Sequence, residues 1–426
     1  MFKKHNESTQ ITPTTLKVSM ATMVDVKKER DSSSRSGGID LLRATITVVV
    51  VAFHSVLGYV TFGIFDPADY LKRSTAPVVD QQQWVGFDLF FAFNNTFFMS
   101  LMFFISGLFV VPSLNRKGVV AFLKDKAWRL GSPFLLGMFF LSPLAYYPSF
   151  LLTGSDKGYL AYWRDMILEG PWPTGPLWFI SMLMAFHLLV APAYLFIKRF
   201  GIRDFPPTEL LRRVRREPVP FFLVAVVLCI VSYLPLLFLY GPYLWVFFGP
   251  FCFNASRFLL FLSNFGLGVY LGAQGLEATF LGTWGTFGRR WPVWVLLSGA
   301  FFIWFLVANK SMMEHYDANN EIWTQPPGWL SNGLAFATCT ATISLTALAL
   351  FHHFTFPPSR LLDSLRANAY GIYLIHYPLV VWTQYFLLGW PLGAIAKATI
   401  VFGVSLSGSW GLIALFRRIP AVSKII

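Results

Sequence analysis

Residues 43–55 read RATITVVVVAFHS, an otherwise apolar run that begins with an arginine and carries a histidine eleven positions later. On an α-helix, eleven residues make about three turns, so Arg43 and His54 lie on the same face. Similar apolar runs recur along the whole chain, and each approaches the roughly 20 residues that a helix needs to cross a bilayer. The stretch therefore predicts a membrane-spanning helix with two energetically costly side chains on one stripe.

The composition is typical of a polytopic membrane protein. Of the 426 residues, 55% are hydrophobic and only 13% are charged, whereas about a quarter are charged in soluble domains. We predict an all-α fold, a membrane helix bundle with about ten transmembrane helices and no internal repeat. The predicted spans are 39–61, 85–111, 130–151, 175–197, 219–240, 254–273, 291–308, 328–350, 368–389 and 392–416.

The net charge of +13 follows membrane topology and does not indicate a nucleic-acid partner. When alternate loops are assigned to opposite sides, 26 of the 34 Lys and Arg residues fall on one side. The positive-inside rule places that side, with both termini, in the cytoplasm. We predict a disordered cytoplasmic tail over 1–38, a transmembrane domain over 39–416 and a short basic cytoplasmic tail over 417–426. The expected surroundings are a lipid bilayer, without nucleic acid.

The three cysteines indicate neither a disulfide framework nor a metal site. Cys229, Cys252 and Cys339 lie in or beside apolar segments and lack the spacing of metal ligands. No metal is therefore expected.

The polar residues of the first span have two interpretations each. Arg43 stands three residues after Asp40 and can pair with it, or it can extend its head into the lipid headgroups. His54 lies roughly 21 Å beyond Asp40 along the helix, past the bilayer midplane. It is either a neutral imidazole bonded across helices or a general base in a cavity reached from outside, since its ordinary pKa lies near neutrality.

Other polar and basic residues also have both a structural and a functional interpretation. Lys126 and Arg129 are basic residues at the cytoplasmic end of a span, which fits topology signalling or recognition of a phosphorylated cofactor. Helix packing or hydrogen bonding explains three further candidates as well as ligand contact does: Asn94, Ser106 and His376. Trp178, a fourth candidate, also fits the aromatic belt of the membrane interface.

Five motifs in order carry a family resemblance: IDLLRATITVVVVAFHS, FFISGLF, KAWRLGSPF, GPLWFI and YGIYLIHYPLV. Together they span residues 39–380, and the chain resembles the acyltransferase-3 family of polytopic membrane acyltransferases. The segment MSLMFFISGLFVVPSLNRKGVVAFLKDKAWRLGSPF looks most like the branch that includes the periplasmic-glucan succinyltransferase. The resemblance implies an O-acyltransferase of the bacterial inner membrane. The donor would be a cytoplasmic acyl-CoA and the acceptor a hydroxyl of an extracytoplasmic glycan, with an acetyl- or succinyl-type acyl group.

The resemblance also implies roles for individual residues. Arg43 and His54 match the essential pair of the family, with His54 as the general base and Arg43 near the donor. The Arg-x-x-Arg motif of the family reads Lys126-x-x-Arg129 here, which keeps the charge but loses one bidentate phosphate contact. Both residues are then candidate donor contacts. The candidate substrate contacts are Asn94, Ser106, Trp178 and His376.

A multi-pass transporter or flippase for an anionic or sugar-linked solute is the main alternative. Arg43 and the histidines would then form a binding or proton-relay set. Many transporters contain inverted repeats and broken helix pairs, and the sequence has neither. The identities of the acyl group and the glycan and the oligomeric state stay open at this point.

Overall fold

The computed structural model describes residues 38–170, 172–201, 209–282, 287–314, 326–354, 356–357 and 359–425. Over these residues the chain is a helix bundle with one two-stranded hairpin. The tail predicted over 1–38 lies outside the described residues except for Gly38. The elements are α1 Gly38–Leu57, α2 Val85–Leu108, α3 Val110–Lys117, α4 Val119–Lys126, α5 Ser132–Leu136, α6 Ser142–Leu152, α7 Tyr159–Glu169, α8 Trp178–Arg199, α9 Glu209–Arg216, α10 Pro218–Tyr240, β1 Trp245–Phe248, β2 Phe251–Asn254, α11 Phe258–Ala273, α12 Trp291–Glu314, α13 Pro326–His353, α14 Arg360–Leu387, α15 Ala394–Phe416 and α16 Pro420–Ser423.

Within the described ranges, eight helical segments are long and apolar enough to cross a membrane. They contain α1, α2–α3, α4–α6, α8, α10, α12, α13 and α15. The all-α polytopic fold predicted from the sequence is therefore confirmed. The two remaining predicted spans, 254–273 and 368–389, fall on α11 and α14. Neither helix is among the eight segments: α11 has only 16 residues, and α14 buries several polar side chains. The total of about ten transmembrane helices therefore stays a prediction.

The helical segment that contains the third predicted span begins before residue 130. The helical segment begins at Val119 and continues to Leu152, with π-helical turns at Ala127–Gly131 and Gly137–Leu141. Lys126 and Arg129 therefore lie inside a continuous helical segment, and Arg129 belongs to the first π-helical turn. Such turns are frequent at functional sites.

Prolines in this segment create attachment points for neighbouring helices. Pro133 has no N–H group to donate to the carbonyl four residues earlier, that of Arg129. The hydroxyl of Tyr370, on α14, donates to this carbonyl at 2.6 Å. The same holds for Pro143, because the carbonyl of Phe139, four residues earlier, accepts the indole N–H of Trp163 at 2.8 Å. The carbonyl of Leu144, four residues before Pro148, accepts the indole N–H of Trp382 at 2.9 Å. The prolines thus help to fix α14 and α7 against this segment.

Glycines bring α2 and α11 into close contact. A Cβ atom at Gly107 would overlap the carbonyl oxygen of Phe265, and one at Gly268 would overlap that of Phe104. By contrast, a Cβ atom at Gly266 would meet nothing within 4 Å. The small pair Ser106-Gly107 therefore serves helix packing, as one interpretation of the sequence predicted.

The loop between α1 and α2 folds back over the end of α1. Gly58 makes this possible, because a Cβ atom there would lie 2.7 Å from the carbonyl oxygen of Val78. The loop is held by a buried ion pair, in which Lys397 Nζ on α15 lies 2.7 Å from Asp80 Oδ2. Their side chains are 1% and 6% exposed, so each charge depends on the other for stabilisation.

The hairpin β1–β2 covers the residues just before α8. Its strands are antiparallel, and Trp245 pairs with Asn254. The Trp245 ring contacts that of Trp178 with centroids 5.7 Å apart, and Cys252 Sγ lies 2.6 Å from Thr174 Oγ1. The segment GPLWFI is therefore enclosed between the hairpin and the bundle.

Candidate active site

Two histidines from distant parts of the chain meet between α1 and α14. His376 Nε2 lies 3.1 Å from His54 Nδ1. The His376 side chain is fully buried, whereas His54 is half-buried. The contact explains how two imidazoles are tolerated in membrane helices, because each gives the other a hydrogen-bond partner.

The hydrogen-bond network assigns the tautomers of both rings. His376 Nδ1 lies 2.7 Å from the carbonyl oxygen of Tyr373, which can only accept, so this nitrogen carries the proton. His376 Nε2 is then an acceptor and receives the Nδ1–H of His54, which also lies 2.9 Å from the carbonyl oxygen of Val50. In this assignment His54 Nε2 holds a free lone pair. No described residue hydrogen-bonds to that nitrogen, which suits it to accept a proton from a substrate.

The neighbours of His54 fix its position and connect it to a cleft. Gln384 Nε2 donates to the carbonyl oxygens of His54 at 3.1 Å and Ser55 at 3.2 Å, which satisfies carbonyls at the end of α1. The Tyr377 ring packs edge-on against the His54 imidazole, with centroids 5.2 Å apart. Tyr377 also lines a narrow cleft of about 10 Å³, together with Ser142 and Pro176 among others.

A cluster of cations lies about 16 Å from His54 along α1, nearer the predicted cytoplasmic side. Arg43 Nη1 donates to Asp40 Oδ1 at 3.3 Å. The Lys126 ammonium interacts electrostatically with Asp125 and with the cations Arg129, Lys117 and Arg43. Asp125 forms its ion pair with Lys117, and among the described residues no carboxylate is within ion-pair distance of Lys126 or Arg129. These two cations can therefore meet an anionic ligand.

The comparison with known families identifies the family of the chain. The profile of the acyltransferase-3 family, described as an acyltransferase domain, matches residues 36–414. The chain belongs to the acyltransferase-3 family. It is therefore a multi-pass membrane acyltransferase. A comparison with curated proteins and one with solved structures found no significant match.

Membership of the acyltransferase-3 family favours the enzyme over the transporter alternative. It does not distinguish among branches, so the likeness to the glucan succinyltransferase branch stays a prediction. The match extends over the helices that carry Arg43, His54, Lys126, Arg129 and His376, and their roles also stay predictions.

The remaining predicted substrate contacts of this acyltransferase-3 chain lie in other surroundings. Asn94 Nδ2 donates to the carbonyl of Phe90 in its own helix at 2.7 Å, and Ser106 Oγ donates to that of Met102 at 2.8 Å. Trp178 stacks on Phe261 beside the hairpin, with ring centroids 5.7 Å apart. Over the described part of the chain, no hydrogen bond or ring contact joins Asn94, Ser106 or Trp178 to His54. Their roles in substrate binding stay predictions.

Sequence reasoning missed Tyr377, Gln384 and the partnership of His376 with His54. Tyr377 and Gln384 lie one and eight residues after His376 on α14, so the sequence places all three on one helix. The packing of that helix against α1 cannot be read from the spacing of residues within it. The conspicuous polar content of α14 was the available signal, because buried polar groups in membrane helices need partners.

Proposed function

We propose that this acyltransferase moves an acetyl- or succinyl-type acyl group from a cytoplasmic acyl-CoA to a hydroxyl of an extracytoplasmic glycan. Its location would be the bacterial inner membrane. The observation that carries the proposal is the lone pair on His54 Nε2, left free because His54 Nδ1 donates to His376. A positioned general base with a free lone pair is what a sugar hydroxyl requires to attack a thioester.

The proposed reaction uses His54 as base and then as acid. The acceptor oxygen attacks the thioester carbonyl carbon while His54 Nε2 takes the hydroxyl proton. The carbon–sulfur bond then breaks, and the protonated imidazole returns this proton to the thiolate of CoA. In the charged state, the Nδ1–H of His54 donates a stronger, charge-assisted hydrogen bond to His376 Nε2. His376 would thus orient and stabilise the base, as the third member of a catalytic triad does.

The cation cluster would hold the phosphates of the donor. Arg43, which interacts electrostatically with Lys126, lies about 16 Å from His54 along α1, a gap that an extended pantetheine arm can bridge. Guanidinium and ammonium groups are the usual phosphate ligands of proteins. The thioester could then reach His54 while the nucleotide stays at the cytoplasmic side. The likeness to the periplasmic-glucan branch supports a glucan as acceptor.

Mass spectrometry of envelope glycans from strains with and without the protein tests the proposal. We expect a mass difference of one acyl unit, and its value identifies the acyl group. His54→Ala should lower acyl transfer at least about 100-fold, because a general base supplies roughly 10²- to 10⁴-fold. His54→Gln retains hydrogen bonding but accepts no proton near neutral pH, so near-normal transfer by this variant would exclude His54 as the base.

The proposed sidedness has an independent test. The native cysteines Cys229, Cys252 and Cys339 are buried, which gives a low labelling background. Ser155→Cys should react with a membrane-impermeant maleimide in intact cells, whereas Arg212→Cys should react only after lysis. The reverse pattern would place the acceptor side in the cytoplasm and contradict the proposal.

A further inference from the structure

A second, larger pocket lies beside α6 and α7, on the side predicted to face outward. Its volume is about 310 Å³ and it is open to solvent, which is at the lower end of the range of small-molecule sites. We call it the outer pocket. Its lining residues are Ala68, Asp69, Tyr70, Leu71, Phe150, Lys157, Tyr162, Asp165, Met166, Glu169 and Gly170.

A buried tyrosine supplies the outer pocket with an unused hydrogen-bonding group. Tyr162 is 3% exposed, and its hydroxyl interacts with the phenol of Tyr70 but makes no hydrogen bond of ordinary geometry within the described residues. Burial raises the pKa of Tyr162 above its ordinary value, and the nearby phenols of Tyr70 and Tyr146 add to the shift. The hydroxyl therefore keeps its proton and stays a donor. A buried donor whose hydrogen bond has poor geometry costs free energy unless a ligand or water satisfies it.

The aromatic rings of the outer pocket are held in place by one another. The Phe150 and Tyr162 rings have centroids 4.7 Å apart, and those of Phe150 and Tyr70 are 6.4 Å apart. Rigid aromatic faces suit the C–H-bearing face of a sugar ring, because the negative face of the ring attracts positively polarised hydrogens.

The charged groups of the outer pocket favour a ligand with hydroxyl groups over an anionic one. Lys157 Nζ is occupied by Asp165 Oδ2 at 3.1 Å, and Arg164 also binds Asp165. Glu169 has no hydrogen bond or ion pair among the described residues, so its carboxylate can accept hydrogen bonds from a ligand. Asp69 is paired with Arg73 and Asp165 with the two cations just named, so the repulsion that an anion would meet comes from Glu169. These carboxylates form no group in the described chain that could hold a metal ion.

Helix α6 links the outer pocket to the candidate active site. The Tyr146 ring contacts that of Tyr377, the neighbour of His54, with centroids 6.0 Å apart. Phe150 follows one helical turn later, about 6 Å further along the helix, and lines the outer pocket. A chain of linked sugar rings is long enough to occupy the pocket with one unit while another reaches His54.

We propose that the outer pocket binds a neutral hexose unit of the acceptor glycan, with Tyr162 donating to a ring substituent, Glu169 accepting from hydroxyl groups and Phe150 packing on the sugar face. The identity of this ligand as the acceptor rests on the proposed function. It can be tested without acyl transfer, because binding requires no donor.

Isothermal titration calorimetry of the purified full-length protein in nanodiscs, without acyl-CoA, tests the inference. The probes are cellopentaose and maltopentaose as neutral gluco-oligosaccharides and pentagalacturonic acid as an anionic one. Tyr162→Phe keeps the ring and removes one hydroxyl, so Kd for the neutral probe that binds should rise about 2- to 13-fold. Tyr159→Phe is the matched control, since Tyr159 belongs to the same helix and aromatic cluster but does not line the pocket. Its Kd should equal that of the wild type.

Glu169→Gln should weaken binding of the same probe by a further measurable factor, since hydrogen bonds to charged groups are stronger than neutral ones. Failure of both neutral probes to bind the wild type, tighter binding of the anionic probe, or an equal Kd for Tyr162→Phe and wild type would each overturn the inference. If the wild-type protein binds the neutral probe but shows no acyl transfer, the result would count against the proposed function and leave the assignment of the outer pocket unchanged.

Discussion

His376→Leu is the substitution that isolates the histidine pair. The leucine fills a fully buried position with apolar atoms and keeps the helical backbone of α14. It removes the acceptor 3.1 Å from His54 Nδ1 while leaving His54 itself in place. We expect the variant to fold and to bind acyl-CoA with an unchanged KM, and to turn over more slowly.

The expected loss follows from the charge state of His54 during the reaction. The hydrogen bond to His376 becomes charge-assisted only once His54 is protonated, so it stabilises the transition state more than the ground state. A hydrogen bond to a charged group contributes about 1.5–3 kcal/mol, which corresponds to about 10- to 150-fold in kcat. The Val50 carbonyl, 2.9 Å from the same nitrogen, remains as an acceptor. The loss should therefore lie toward the lower end of this range.

The assay is turnover of labelled acyl-CoA by purified protein in nanodiscs, with kcat and KM determined separately. His376→Gln should recover part of kcat, since its amide oxygen can accept the Nδ1–H of His54. His187→Leu is the matched control, because His187 is also a buried membrane histidine, but its Nδ1 bonds to the Leu183 carbonyl of its own helix at 2.6 Å. Its kcat should stay near the wild-type value.

Double substitution decides whether the two histidines act as a unit. If His376 acts only through His54, adding His376→Leu to His54→Ala should cause no further loss. The reasoning would be refuted if the double variant lost kcat by the product of the two single losses. It would also be refuted if His376→Leu had the kcat of the wild type.

Three further predictions concern the donor site and the fold. Arg129→Ala should raise KM for acyl-CoA about 10- to 150-fold through loss of a charge-assisted contact. Arg116 is an exposed cation on the same predicted side, and Arg116→Ala should leave KM unchanged. Equal KM values for the two variants in a turnover assay would mean that Arg129 serves only membrane topology. Gly268→Ala should destabilise the detergent-solubilised protein by about 1–3 kcal/mol through overlap with α2, and Gly266→Ala should leave its thermal unfolding unchanged; similar unfolding of both variants would contradict the close contact. Lys397→Met should lower the free energy of unfolding by about 3–5 kcal/mol, because it leaves the buried carboxylate of Asp80 unpaired. Replacing Asp80 as well should restore much of this loss in the same thermal assay. If the two losses of stability add instead, the result would argue against the ion pair.

The fold class could be predicted from the sequence because it depends on local composition. Apolar runs of membrane-spanning length identify helices wherever they occur, as in α1 and α10. Helix boundaries were less accessible: the start of the segment at Val119 was missed because its first turns contain lysines and an aspartate. The π-helical turns depend on hydrogen-bond geometry, which a hydropathy pattern does not contain.

The candidate site was only partly accessible from the sequence. Arg43 and His54 are eleven residues apart on one helix, so their shared face follows from helical geometry alone. The contact between His54 and His376 joins residues 322 positions apart, and it depends on which helices pack together. Single-helix periodicity assigns a face to a residue but does not identify the helix that covers it. Tyr370 shows the same limit. Its acceptor is the carbonyl of Arg129, to which Pro133 in the same segment as Arg129 has no N–H group to donate.

The ion pair between Asp80 and Lys397 also has a consequence for biosynthesis. The two residues are 317 positions apart, so at about 5–20 residues per second the carboxylate waits roughly 15–60 s for its ammonium partner. During that time the loop after α1 has no counter-charge and cannot settle in its buried position. His376 also emerges late, so a growing chain that already holds acyl-CoA near α1 lacks the partner of its base. The enzyme would therefore reach its full activity only after α14 and α15 have entered the membrane.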